Sequence, residues 1–449
     1  MKDMTKGVPS KVLFSFAFPM MLSGMFQQFY NIADSLIAGK FSGTSALAAI
    51  GASYPITMLF IAIATGSGVG CSVIISKYFG AKDYKALKTT ISTAIISTVV
   101  LSILFTIIGT LICNPLMRLM NTPEEIFAQG ALYLRIYIWG LLFLFVYNIT
   151  NAIFNGLGDS KTPLYFLIFS SLFNIALDYI FVKYFHMGVA GVAWATFIAQ
   201  GLSSILALAF LIKRTRQLKI GETCPYFSFS ILKSIGYIAI PSILQQSIVS
   251  IGQLLIQSLV NSYGTSVIAG YSAAIKIDSF FKIVIISMGN AMSNFTAQNV
   301  GASKPLRIKK GYRAATLTMA VYCAIAFGII LLFSPYLISC FINNETAPSL
   351  IKEMINIGSQ YMHIVVGGYF VCALLLINNG VLRGHSNMIG FTSATLSDLF
   401  VRVGASYLLA HLFGYHAIWI SIPIGWLVGY LISLFFMKRN KENYSISNT

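Results

Sequence analysis

Apolar runs long enough to cross a bilayer recur from one end of this chain to the other, and no other feature limits its fold so tightly. A helix needs about 20 predominantly apolar residues to span the hydrocarbon core. Segments of that kind lie at 12–36, 46–76, 89–113, 127–154, 163–182, 188–212, 234–260, 266–299, 314–340, 354–381, 388–410 and 415–437. The expectation is an all-α membrane protein with 12 transmembrane helices. The 449 residues are 57% hydrophobic and only 10% charged, so these spans and their short loops leave no length for a sizeable soluble domain.

The net charge of +17 raises nucleic acid as a partner, but the basic residues are divided among short loops instead of gathered on one face, which argues against that class. Their distribution sets orientation instead. Of the 30 Lys and Arg, only Lys40, Arg118, Lys183 and Lys352 fall in odd-numbered loops. The dense clusters, Lys77 to Lys88, Lys213 to Lys219 and Lys304 to Arg313, are in even-numbered ones. By the positive-inside rule both termini are expected in the cytoplasm, with the loop from Asn343 to Lys352 outside. The N-terminal MKDMTKG runs into the first span without a small-residue cleavage site, so that span is expected to stay uncleaved. The six cysteines are scattered without a metal or redox spacing and read as small core residues.

The second half repeats the first at an offset of roughly 221 to 226. Pro19 pairs with Pro241, GTSALAAIGAS from Gly43 with GTSVIAGYSAA from Gly264, and YFGAKDYKALK from Tyr78 with NVGASKPLRIK from Asn299. His186 and Trp194 pair with His411 and Trp419. Each half carries six spans, an even number, so both halves enter the membrane from the same side. The expected architecture is two six-helix bundles, lobes 1–220 and 221–449, related by a pseudo-two-fold axis along the membrane normal, with a substrate path between them.

Four acids lie well inside apolar segments: Asp34, Asp178, Asp278 and Asp398. Lys282 follows Asp278 by four residues, and Arg402 follows Asp398 by four, so each C-terminal acid has a basic partner on its own helical face. Asp34 and Asp178 have no such partner. A carboxylate in low dielectric takes up a proton or recruits a cation. At about 1.5 Å per residue, Asp34, Asp178 and Thr196 all fall in the outer half of the bilayer, and Asn174 lies one turn before Asp178. Two carboxylates, an amide oxygen and a hydroxyl make a hard oxygen set suited to Na⁺ or a shared proton. Asp34, Asn174, Asp178 and Thr196 are therefore the expected cation-coupling site. Lys276, Asp278, Lys282, Asp398 and Arg402 form a second group, a charge network of the C-terminal lobe or part of a substrate cleft.

Other motifs read more simply. Gly66, Gly68 and Gly70 lack the Lys-Ser/Thr of a phosphate loop and read as close helix packing. Asn148, Asn151 and Asn155 read as interhelical hydrogen bonding. GLGD at Gly156 to Asp159 resembles the aspartate motif of intramembrane proteases, but Asp159 beside Ser160 and Lys161 reads as a turn. Pro19 and Pro241 are expected to kink their spans.

The whole chain resembles the multidrug and toxic compound extrusion (MATE) transporters. The resemblance is carried by GSGVGCSVIISKYFGAKD at the end of the second span, NGLGDSKTP after the fourth, and KIDSFF with TAQNVGASK in the eighth. It implies an N-lobe cation site of an aspartate, an Asn and Asp four apart, and a Thr, which fall on Asp34, Asn174, Asp178 and Thr196. The seventh and tenth spans carry Gln245, Gln246, Gln253, Gln257, Asn378 and Asn379 but no carboxylate, which resembles the DinF-like branch. RGHSNM after the tenth span departs from the family's RGxGDxxTP.

The function so implied is a plasma-membrane secondary antiporter. It would export lipophilic or cationic organic compounds against inward Na⁺ or H⁺ by alternating access, drawing about 2.3 kcal/mol per charge from each 100 mV of potential. No cofactor, no enzymatic activity and no nucleic acid are expected. The partners are small organic substrates and the lipid bilayer, and the protein is expected to be a monomer. A flippase for a lipid-linked saccharide is the rival within the superfamily. It would want a basic cleft, for which only Lys276, Lys282 and Arg402 are on offer. An intramembrane protease would depend on Asp159, and a channel would not need gradient coupling.

Overall fold

The computed structural model describes residues 2–120, 122–216, 224–342 and 347–439, with the side chains of 34–36 and 38–47 left aside. Among the described residues the chain is helical and carries no strand. The helices are α1 (Pro9–Ala81), α2 (Tyr84–Leu119), α3 (Glu124–Trp139), α4 (Leu141–Gly156), α5 (Lys161–Tyr179), α6 (Gly188–Arg216), α7 (Phe229–Asn261), α8 (Thr265–Gly301), α9 (Pro305–Ser339), α10 (Pro348–Gly367), α11 (Tyr369–Gly384), α12 (Met388–Phe413) and α13 (His416–Arg439). Two bilayer-length stretches, Pro9–Ala33 and Ala48–Ala81, lie within α1. Nine stretches among the described residues are long and apolar enough to cross a membrane, or eleven if each bent helix pair is one span. Helix α8 (Thr265–Gly301), which carries Lys276, Asp278 and Lys282, is not among these stretches, and the sequence expectation for the eighth span rests on it.

Two spans expected to be continuous are broken. The fourth bends by 48° between α3 and α4, and the tenth by 51° between α10 and α11. Each break falls at a glycine, Gly140 or Gly368, whose N–H still bonds back into the preceding helix. A Cβ on Gly368 would meet Pro423 at 2.8 Å and the Trp426 ring at 3.1 Å, so the glycine at this bend lets α13 approach. The fifth span also changes character, with a π turn at Ile180–Tyr184 following α5 directly.

The chain divides into two compact units, Met1–Asp3 with Leu22–Ile243, and Met4–Met21 with Leu244–Thr449. The chain changes unit two residues after each of the paired prolines, Pro19 and Pro241. The sequence-based lobe boundary at 220/221 lies outside the described residues.

In the first unit the core is built on Phe60, Phe105, Phe145, Met117 and Leu134, with ring centroids of 6.2 Å for Phe60–Phe105 and 5.9 Å for Phe105–Phe145. The expected glycine packing is present. A methyl group at Gly66 would lie 2.8 Å from the Ile243 backbone, at Gly70 2.7 Å from the Ile235 carbonyl, and at Gly68 3.2 Å from the Ala152 Cβ. These glycines therefore seat α1 against both α7 and α4.

In the second unit α8 is the central element. A Cβ on Gly380 would fall 2.3 Å from the Gly289 carbonyl oxygen, and one on Gly358 2.8 Å from that of Gly270, so α11 and α10 touch α8 backbone to backbone. Trp419 is wholly buried, stacked on Tyr271 at 5.0 Å and edge-on to Tyr361 at 5.1 Å. The N-terminal peptide also belongs to this unit. Met4 N–H donates to Gln298 Oε1 at 2.9 Å, and the carbonyls of Met4, Thr5, Lys6 and Gly7 accept from Arg307 or Lys304. Met4 and Thr5 are buried there. Four of the six cysteines, Cys71, Cys113, Cys323 and Cys372, are buried and none is in a disulfide.

Candidate functional site

The buried face of α5 carries Ser171, Asn174 and Asp178, a spacing of three and four residues that aligns them along one side of the helix. Asp178 is wholly buried in the last turn, just before the π turn. Turns of that kind occur often at functional positions. The Asn174 amide is the hinge of the cluster. With its nitrogen toward the acceptors, it donates to Asp178 Oδ2 at 3.1 Å and to the Tyr30 hydroxyl oxygen at 2.7 Å, and its oxygen accepts from the Thr196 backbone N–H at 3.1 Å. Three elements, α1, α5 and α6, thus meet at one side chain.

Thr196 Oγ donates its proton to the Val192 carbonyl at 3.0 Å, which leaves the oxygen's lone pairs for an acceptor role. Asp34 stands four residues beyond Tyr30 on α1, and its side chain lies outside the described residues. The structure therefore brings Asn174, Asp178 and Thr196 together and adds Tyr30, which sequence reasoning missed. The available signal was the position of a tyrosine one turn before Asp34. Chemically the cluster offers a carboxylate, an amide and hydroxyl oxygens, all hard donors.

The charges of the second unit are arranged differently from one another. Asp278 is wholly buried and held by three donors: Lys282 Nζ at 2.6 Å, the Tyr369 hydroxyl at 2.6 Å and the Tyr361 hydroxyl at 3.1 Å. The expected i, i+4 pair is there, joined by two tyrosines from α10 and α11.

The second expected pair does not form. Among the described residues no ion pair within 4.0 Å joins Asp398 to Arg402, and Asp398 Oδ1 and Arg402 Nε are buried without hydrogen-bond partners. The reason is the α12–α13 contact. Asp398 Oδ1 is packed onto Gly425, where an added Cβ would lie 2.6 Å from it, so the carboxylate faces α13. Arg402 still acts electrostatically on Asp398, more strongly than Lys282 does, and also on Tyr271 and Tyr361. Lys276 stands apart, exposed, with its Nζ 5.7 Å from the Phe341 ring centroid.

Two further sequence readings meet the structure here. Asp159 Oδ1 accepts from the Thr162 N–H at 3.2 Å and Oδ2 from the Thr162 hydroxyl at 2.9 Å, so it caps the start of α5 as a turn residue. Asn148 was expected to bond between helices, but its Nδ2 donates back to the Leu144 carbonyl of its own helix at 2.8 Å.

The MatE family model matches residues 19–180 and 241–408, one stretch in each half. The chain is 29% identical over 388 residues to "Probable multidrug resistance protein YpnP" of Bacillus subtilis, covering 86% of this chain and 85% of that one. It is 20% identical over 436 residues to "Multidrug export protein MepA" of Staphylococcus haemolyticus, covering 97% and 95%. A crystal structure of MATE in complex with MaL6 superposes with a TM-score of 0.91 at 24% identity, covering 99% of both chains. With matches in both halves and the same two-bundle fold along its length, this chain belongs to the MatE (MATE) family, whose members are membrane transporters and not enzymes.

Proposed function

We propose that this transporter is a secondary antiporter that exports lipophilic or cationic organic compounds in exchange for inward Na⁺ or H⁺, with Asp34, Asn174, Asp178 and Thr196 as the coupling site. The observation that carries the reading is the Asn174 amide, which ties the buried Asp178 carboxylate to Tyr30 and Thr196 inside the first unit. A carboxylate there changes its preferred partners when a cation or proton arrives, and Asn174 and Tyr30 transmit that change to α1 and α6. The names of the multidrug relatives support the substrate class. The division of basic residues supports cytoplasmic termini in the plasma membrane.

The test is proteoliposome uptake of a fluorescent organic cation under a Na⁺ gradient alone and under a pH gradient alone. One gradient is expected to drive uptake. Asp34→Asn and Asp178→Asn are each expected to abolish driven transport while the protein inserts and folds. Wild-type rates in either variant, with unchanged dependence on Na⁺ and pH, would overturn the four-residue site. Driven uptake under neither gradient would overturn the antiport.

A further inference from the structure

The motif RGHSNM that closes α11 contains a partly buried cation that the coupling site does not use. Arg383 sits in the last turn of α11. Its Nη2 donates to Asn290 Oδ1 of α8 at 2.9 Å, its guanidinium lies 5.3 Å from the Phe391 ring centroid, and its Nε is buried without a partner. Among the described residues no carboxylate lies within 4.0 Å to pair with it. The α11 C-terminal carbonyls offset part of the charge, but a guanidinium taken out of water calls for an anion.

The groups around it are donors. A Cβ on Gly384, the next residue, would lie 2.5 Å from Thr296 Cβ and 2.7 Å from the Ser293 carbonyl, which fixes this turn against α8. On that stretch Ser293 Oγ and Thr296 Oγ1 are buried without partners. Just past the turn, Asn387 uses its Oδ1 to cap Gly390 N–H at 3.1 Å and leaves its buried Nδ2 with no acceptor. One guanidinium N–H, two hydroxyls and one amide NH₂, none with an acceptor, thus lie on the last turn of α11, on the stretch of α8 packed against it and just past the turn. The Arg383 side chain is only partly covered, which leaves a way in.

We infer that the end of α11, built on Arg383 with Ser293, Thr296 and Asn387, binds an oxyanion, a carboxylate or phosphate group. Guanidinium and hydroxyl donors match such a group in charge and in hydrogen-bond direction. The oxyanion is either free in solution or the headgroup of an acidic lipid.

Melting the purified full-length protein at constant ionic strength, with chloride replaced stepwise by inorganic phosphate, tests this directly. A saturable rise in melting temperature on the order of 3 °C is expected. Arg383→Gln is expected to remove it and Arg383→Lys to reduce it. Parallel melts in nanodiscs with phosphatidylglycerol in place of phosphatidylcholine separate the two sources, since a rise seen only there assigns the site to a headgroup. If the wild-type protein gains nothing from phosphate or from phosphatidylglycerol, no oxyanion site exists. The same conclusion follows if Arg383→Gln keeps the whole rise. The wild-type melts decide the matter even if that variant does not fold.

Discussion

Asp178 and Asp278 are both wholly buried, yet their surroundings suit different tasks. Asp278 already has an ammonium and two phenol donors, so its negative charge is met within the protein and a further cation would have to displace them. Asp178 bonds the Asn174 amide, which reaches on to Tyr30 of α1 and to Thr196 of α6. Asp278 therefore reads as the knot that ties α8 to α10 and α11. A double-mutant cycle on Asp278→Asn and Lys282→Gln, read by thermal melting, is expected to give a coupling of about 1–3 kcal/mol. The same cycle on Asp398→Asn and Arg402→Gln is expected to give a smaller coupling, because Arg402 acts on Asp398 through space without a direct ion pair. Equal couplings would contradict that distinction. The Asp278–Lys282 pair was legible from its four-residue spacing. Tyr361 and Tyr369 were not, since they lie 83 and 91 residues away along the chain and no local pattern announces them. The failure at Asp398 has the same origin: Gly425 on another helix decides where the carboxylate turns.

Among helices in lipid, small residues take over much of what hydrophobic contrast does in water. Gly380 and Gly328 provide a matched comparison. A Cβ at Gly380 would sit 2.3 Å from a carbonyl oxygen of α8, whereas nothing lies within 4 Å of one at Gly328. Gly380→Ala should force α11 off α8 and cost about 1–3 kcal/mol, seen as a lower melting temperature. Gly328→Ala should leave it unchanged or slightly higher, as expected where alanine replaces glycine in an open helix. If both variants melt alike, backbone contact at Gly380 is not what holds the pair. Helix existence and order were legible because bilayer-length apolar runs are unambiguous. The bends at Gly140 and Gly368 were not, because a single glycine inside an apolar run looks the same whether a helix continues or turns there. The repeat is legible down to the backbone. Lys82 and Ser303, at matching places in the two halves, both take positive φ, at 59° and 54°. Asp159 and Asn387 likewise make the same cap three residues ahead.

Sequence duplication suggested two self-contained halves, but the compact units exchange segments: Met4–Met21 belongs with Leu244–Thr449. That membership depends on contacts between residues nearly 300 positions apart, which no window of sequence reveals. Arg307 makes three of them, to the carbonyls of Met4, Lys6 and Gly7. Arg307→Ala is expected to cost about 1–3 kcal/mol and to expose the Met4–Gly7 segment to limited proteolysis. A Met4–Gly7 segment as protected as in the wild type would count against these contacts holding it. The arrangement also imposes a schedule. Met4 and Arg307 are 303 residues apart, and at about 5–20 residues per second the ribosome needs roughly 15–60 s to travel between them. The Met4 segment thus waits for a seat that does not yet exist, and docks only after the eighth span has been threaded. A fusion partner placed ahead of Met4 would therefore interfere with a late step of assembly rather than an early one.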